Sequence, residues 1–430
     1  MNADDSLCFA EQQQQVVNTK LLITGCLLLA GWLFLPFLAW VAGVFIYAFA
    51  VQKTKLDSAI VFFVVFSLSV LIASRHIGYL WGGADDMPSY LMAYERYSSF
   101  SSMLPTSLLY AKHADFLFAL YSWVVASLTN NHSFLYYFTT LAVTYLLIWK
   151  FCKLVDNPSP LLCFLMIVFF YKFFQSQWHL IRACMAVPIL LYGIWYSQTN
   201  KKHGIAIFFL GSLMHFSTSF LLLPLLIFSK HLNRRWNIEQ LILLILGFVF
   251  AAIFGVLAIK GVGSVINHYM INKILTRLVF EPSFSKLPSL LFFIFVTIIA
   301  LPGYIKTTSP TYIRLFNMMS FLTLLSFIAL FFIGDELHRI LLPLYLLYAP
   351  LMLLAFQYIT PKIITGTFLF LVIAFHMAAF SYVLLINESN FFYQDEIHRH
   401  PIENKGLDYF LTFKHYSETD ITYYDGYRNK

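Results

Sequence analysis

The sequence predicts an all-α polytopic membrane protein, and three observations lead there. Of the 430 residues 60% are hydrophobic and only 11% are charged, whereas a soluble domain is about a quarter charged. The mean hydropathy is +0.72. Apolar runs alternate along the chain with short polar breaks. So few charges cannot cover a folded surface against water, which excludes a soluble enzyme, a disordered chain and a disulfide scaffold. At about 20 residues per span, the apolar content allows about ten to twelve spans.

The spans are read near 21–51, 59–74, 133–151, 159–174, 183–197, 240–259, 289–304, 315–333, 340–358 and 363–386. Together they make residues 1–386 a single transmembrane domain, followed by a polar acidic tail, 387–430, of net charge −3. The run 21–51 contains Pro36 and is read as one tilted or kinked helix, because a hairpin would leave about fifteen residues per arm; two spans is the alternative, and it moves the N-terminus inside. Lys53/Lys55, Lys150/Lys153, Lys201/Lys202, Lys230/Arg234/Arg235, Lys306/Arg314 and Lys362 are short basic breaks, placed in the cytoplasm by the positive-inside rule. An even number of crossings must then separate each from the next. That makes Phe116–Leu128, too short to cross, a re-entrant or interfacial segment. It also makes 204–229 a tight re-entrant hairpin with His215 near its outer tip, the alternative being one ordinary span. The sum is about 12 crossings with the tail outside.

Several chemistries find no support. The five cysteines form no CxxC pair and read as apolar packing residues, so neither a metal site nor a disulfide framework is expected. The first twenty residues lack a basic n-region, and no cleavable signal peptide is expected. HExxH, P-loop, GxGxxG and GxSxG patterns are absent. The net charge of +7 reads as topology signal in short loops, with no nucleic-acid partner.

The ionisable residues on the predicted outer face carry the functional reading, since such groups at membrane depth are costly. Arg75 closes an early span and is followed by Gly82-Gly83, Asp85, Asp86, Pro88, Tyr90 and Arg96. Asp86 and Tyr90 share a face if a helix starts near Pro88; the bland alternative is a solvated loop with Asp85 as a helix N-cap. Gln175, His179 and Arg182 follow i, i+4, i+7 and would line one helical face. Arg182 heads an apolar helix, a place suited to a phosphate or carboxylate ligand; interfacial snorkelling is the alternative. His215 is either a packed, hydrogen-bonded residue or a base. Asp335 and Arg339 form an i, i+4 pair. The segment 260–286 holds Lys260, Lys273, Arg277 and Lys286 against Glu281, an excess of positive charge outside that suggests an anionic ligand or lipid headgroup.

In order and spacing these elements resemble the EpsG-type branch of the Wzy O-antigen and exopolysaccharide polymerases. The resemblance rests on Arg75, then Gly83 with Asp85 or Asp86, and Tyr90; on His179-Leu180-Ile181-Arg182; on Lys201-Lys202; on Met214-His215-Phe216-Ser217; and on Arg339 with Tyr345. It departs from that pattern at the doubled acid and at Ala183, where a polar residue commonly stands. The resemblance implies a GT-C-like architecture and a glycosyltransferase at the periplasmic face of the bacterial inner membrane. It implies undecaprenyl-pyrophosphate-linked glycans as donor and acceptor, membrane lipid as surroundings, a Wzz-type chain-length regulator as partner, and no cofactor or metal. In that chemistry Arg182, then Arg75, Arg339 and Arg277, would hold the anionic leaving group. His215, Asp85 or Asp86 would serve as base, and Tyr90, Arg96, Gln175 and His179 would contact substrate. An O-antigen ligase or a lipid-linked-glycan flippase is the alternative function.

Overall fold

The computed structural model describes residues 19–20, 22–51, 53–75, 77, 86–155, 158–237, 239–240, 242–243, 246–247, 250, 254, 284–332, 337–358, 362–387 and 403–418. Among the described residues the fold is helical and holds no strand. Five helices are long and apolar enough to cross a membrane: Ser133–Leu154, Leu287–Lys306, Pro310–Leu330, Leu337–Tyr358 and Gly366–Leu385. With the shorter apolar helices they make this a multi-pass membrane protein.

The centre is built from α8 (Pro160–Val168) and α15 (Leu337–Ala355), in which every residue of α8 and nearly every residue of α15 is buried. α8 is apolar all round, and so is α15 beyond His338 and Arg339 in its first turn, as a helix enclosed on every side must be. Around them lie α7 (Ser133–Leu154), α10 (Ile181–Tyr196), α13 (Leu287–Lys306) and α14 (Pro310–Phe332). Phe295, Ile298 and Leu301 of α13 and Phe370, Leu371 and Phe375 of α16 (Lys362–Tyr382) face outward, as expected of a surface met by lipid.

The run 21–51 departs from the single-helix expectation. It forms α1 (Leu22–Phe34) and α2 (Phe37–Ala50), broken at Leu35–Pro36. The Trp40 indole donates back to the Leu28 carbonyl (2.9 Å), and Leu56 beyond α2 packs 3.2 Å from the position a Gly25 Cβ would take. A kinked rod would hold those pairs far apart, so the chain reverses. Pro36 lacks the N–H that a continuous helix needs there, and the reversal lets Trp40 seat on α1. α3 (Asp57–Ala73) then runs beside α1, held by Trp32 Nε1 donating to Ser67 Oγ (2.9 Å).

The span 159–174 is also interrupted. α8 stops at Val168 and α9 (Tyr171–Ser176) begins after Phe170. The carbonyl of Met166, which a continuing helix would give to the Phe170 N–H, instead accepts from the Tyr348 hydroxyl of α15; Phe170 N bonds Ile167 O at 3.2 Å. The expected helical face of Gln175, His179 and Arg182 is broken for the same kind of reason. A turn at Gln177–His179 separates α9 from α10, and the Trp178 carbonyl is taken by Arg75 and Tyr137 rather than by the helix ladder.

The segment 204–229 folds as α11 (Lys201–Met214) and α12 (Phe216–Ile227), with the chain reversing at His215 (φ −158°, ψ 99°). Ser229 returns beside Gln198, whose amide donates to its carbonyl, so both arms begin and end near the same point. Gly193, Gly204 and Gly211 let α11 lie against α10 almost backbone to backbone. The run Phe116–Leu128 is α6 (Phe116–Thr129), turned into α7 by Asn130 and Asn131 at positive φ. Within the acidic tail, α17 (Gly406–Glu418) packs Phe413 on Phe66, Phe134 and Phe138 with ring centroids 5.0–5.9 Å apart. Most of the span 240–259 and almost all of the basic segment 260–286 lie outside the described residues.

Candidate functional site

Two short helices fill the stretch between α3 and α6. α4 (Met87–Tyr94) begins just before Pro88, as the spacing of Asp86 and Tyr90 requires, with the Tyr90 N–H donating to the Asp86 carbonyl (3.3 Å). Tyr94, one turn further on, stacks on Tyr136 (4.1 Å) and bonds Thr129 at the far end of α6. α5 (Met103–Tyr110) brings the chain back, and Lys112, at φ 52°, turns it into His113-Ala114-Asp115 at the head of α6. α4 and α6 therefore meet at their N-terminal ends, and the ends meet Arg182.

Arg182 is the second residue of α10. Its Nε donates to the Tyr90 hydroxyl (2.8 Å), its guanidinium carbon lies 5.3 Å from the Tyr90 ring centroid, and Nη1 pairs with the Asp115 carboxylate. The other Asp115 oxygen accepts the backbone N–H of Phe216 (3.3 Å), the first residue of α12. One carboxylate thus joins α10 to the tip of the α11–α12 hairpin, where the positive end of the α12 dipole favours it. The pair is largely enclosed, the side chains being 15% and 12% exposed. Nη2 of Arg182 has no partner among the described residues. Burial pushes the Tyr90 phenol above its ordinary value, with Arg182 pulling the other way and Asp86 and Asp115 adding to the rise. Tyr90 therefore keeps its proton. Its oxygen accepts from Arg182, and its O–H is left to donate.

His215 caps α12: its Nδ1 accepts the Thr218 N–H (3.3 Å) and lies 2.7 Å from Thr218 Oγ1. A neutral ring so engaged carries its proton on Nε2. The geometry matches the packed, hydrogen-bonded alternative for His215 and gives it a reason: it ends one helix and starts the next at the point where Asp115 docks. Arg75, 1% exposed, donates from Nη2 to the Trp178 carbonyl (2.7 Å) and from Nε to Tyr137 (3.0 Å), and Tyr137 donates to the same carbonyl (3.0 Å). It braces the turn that aims Arg182.

The other expected residues stand as follows. Asp86 is exposed at the head of α4, one turn from Tyr90. Arg96 is exposed in the turn after α4, bonded back to the Met92 carbonyl of that helix (2.7 Å) and stacked 4.5 Å over Tyr110. Gln175 accepts from Lys172 Nζ (3.3 Å), and His179 is half-buried in the turn before α10. Arg339 lies in the first turn of α15; Tyr345 further along that helix sits by Cys184 of α10, so the two helices start at the same end of the bundle. Asp85 and Arg277 lie outside the described residues. Among the described residues no group of three His, Cys, Asp or Glu side chains is placed to hold a metal ion.

Asp115 and His113 were missed by the sequence reading. His113 is buried between Tyr90 (5.9 Å) and Phe118 (5.6 Å), and its Nδ1 accepts the Asp115 N–H (3.4 Å). The available signal was Lys112-His113-Ala114-Asp115 directly before an apolar helix, with Asp at the N-cap. Its partner stands 67 residues away, which no local pattern reports.

No match is found to a curated protein or to a solved structure. The EpsG family profile matches residues 58–396, a stretch that contains α3 but for its first residue, α4 through α16, and every residue of the Arg182 cluster. That match covers well over half of the chain, and the protein belongs to the EpsG family.

Proposed function

We propose that the chain polymerises lipid-linked oligosaccharide repeat units, the donor and acceptor both carried on undecaprenyl pyrophosphate, at the periplasmic face of the inner membrane. The observation that carries this reading is the convergence of Tyr90 and Asp115 on Arg182, with the His215 turn joined to them through Asp115, and donors left over. In the reaction the acceptor hydroxyl oxygen bonds to the donor's anomeric carbon, the bond from that carbon to the diphosphate oxygen breaks, and the diphosphate leaves with the electron pair. In this reading Arg182 Nη2 and the Tyr90 O–H donate to that oxyanion as it forms. Both Asp115 oxygens are already engaged, one by Arg182 and the other by the Phe216 N–H. Asp86 has no ion-pair partner among the described residues, and we assign it the acceptor proton.

Deleting the gene and following the lipid-linked sugar tests this reading. The expected result is single repeat units accumulating on the outer face, with no long chains. Unligated long polymer would instead identify a ligase, and units trapped on the inner face a flippase.

A further inference from the structure

The end of the bundle opposite Arg182 gathers a second set of guanidiniums, and one of them is buried. Arg314 of α14 is 8% exposed and stacks 4.2 Å over the Trp195 ring. Its partners are neutral: Nε donates to Asn233 Oδ1 (2.9 Å) and Nη1 to the Trp195 carbonyl (3.4 Å). Asn233 is held in that orientation because its own amide donates to Gln198 Oε1 (2.9 Å). The neighbouring turn carries Arg234 and Arg235, the latter donating to the Thr307 carbonyl, and Lys306 is exposed just before that residue. Among the described residues no carboxylate is within ion-pair distance of Arg314, Arg234 or Arg235.

A buried charge without a counter-charge is costly, and proteins do not keep such an arrangement without compensation. The positive-inside rule explains exposed lysines in this loop. It does not explain a guanidinium packed on an indole, fixed by an oriented amide, with Nη2 left over. Planar donors of this kind match the oxygens of a phosphate, and basic pockets between helices at a membrane surface are where headgroups bind.

We propose that Arg314 and Arg235 form a binding site for a phosphate anion, supplied by the headgroup of an anionic membrane lipid or as free phosphate. The site is separate from the Arg182 cluster and does not depend on the polymerase reading.

The test is the thermal unfolding midpoint of the purified full chain in detergent, with added phosphatidylglycerol, phosphatidylcholine or inorganic phosphate. Phosphatidylglycerol is expected to raise the midpoint by a few degrees, saturably, and phosphatidylcholine to leave it unchanged. Arg314→Gln and Arg235→Gln should each lose most of that rise, while Lys53→Gln, on another loop, keeps it. An equal rise with inorganic phosphate assigns the site to a soluble anion. If no anion raises the midpoint, if phosphatidylcholine does so equally, or if the arginine variants keep the wild-type rise, the proposal is wrong. Arg235 is exposed, so its variant carries the test if Arg314→Gln fails to fold.

Discussion

Arg182 is held on two sides and open on a third. Nε lies on Tyr90 and Nη1 on Asp115, which fixes the plane of the guanidinium while Nη2 is left to a ligand. Lysine has no such fork, so its substitution would keep the charge and lose the aim. Asp115 makes the aim possible, and Asp115→Asn isolates that role. Asparagine still offers an oxygen to the Phe216 N–H, so what is lost is the charge opposite Arg182. Breaking a largely enclosed pair costs about 3 kcal/mol, and the variant should unfold several degrees below wild type and make less long-chain product. An unchanged midpoint together with unchanged chain length would show that the pair does not position Arg182.

Among the elements, the α11–α12 hairpin matters most, because its tip presents the N–H that docks Asp115. Its seat on α10 depends on glycine. A Cβ at Gly193 would stand 2.7 Å from the backbone nitrogen of Phe208 and 2.9 Å from the Gly204 carbonyl oxygen. Alanine in a helix gains about 1 kcal/mol over glycine, but backbone atoms cannot yield, and overpacking costs about 1–3 kcal/mol. Gly193→Ala should therefore destabilise the protein, whereas Gly43→Ala, with nothing within 4 Å of its added Cβ, should not. Equal midpoints for the two variants would refute the close approach. The hairpin itself was legible from sequence, because the basic breaks at Lys201/Lys202 and Lys230 demand a reversal and His215 interrupts the apolar run. The breaks at Phe170 and Trp178 were not. Each depends on a distant donor, Tyr348 or Arg75, capturing a carbonyl that local periodicity assigns to the helix.

Over the whole molecule, charge is sorted by end. Lys150 lies over Tyr192, Gln198 meets Ser229, Arg235 meets Thr307 and Arg314 meets Trp195, so the basic breaks after α7, α10, α12 and α13 gather at one end. Arg75, Arg182 and the starts of α7 and α15 belong to the other. The count of charges announced a membrane protein, and their spacing announced two ends. The pairing of Arg182 with Asp115 was hidden, because it is made by folding α4 to α6 back toward α10. Cysteines placed at exposed Ser99 and Lys202 should react with an impermeant reagent from opposite sides of the membrane; labelling of both from one side would contradict the sorting. In the proposed reaction Arg182 holds the anionic leaving group, and the chain lengths made by a stably expressed Arg182→Ala variant test that role. The expected result is loss of long-chain product, at least about a hundredfold in rate, with normal amounts of protein in the membrane. Wild-type chain lengths from that variant would contradict it.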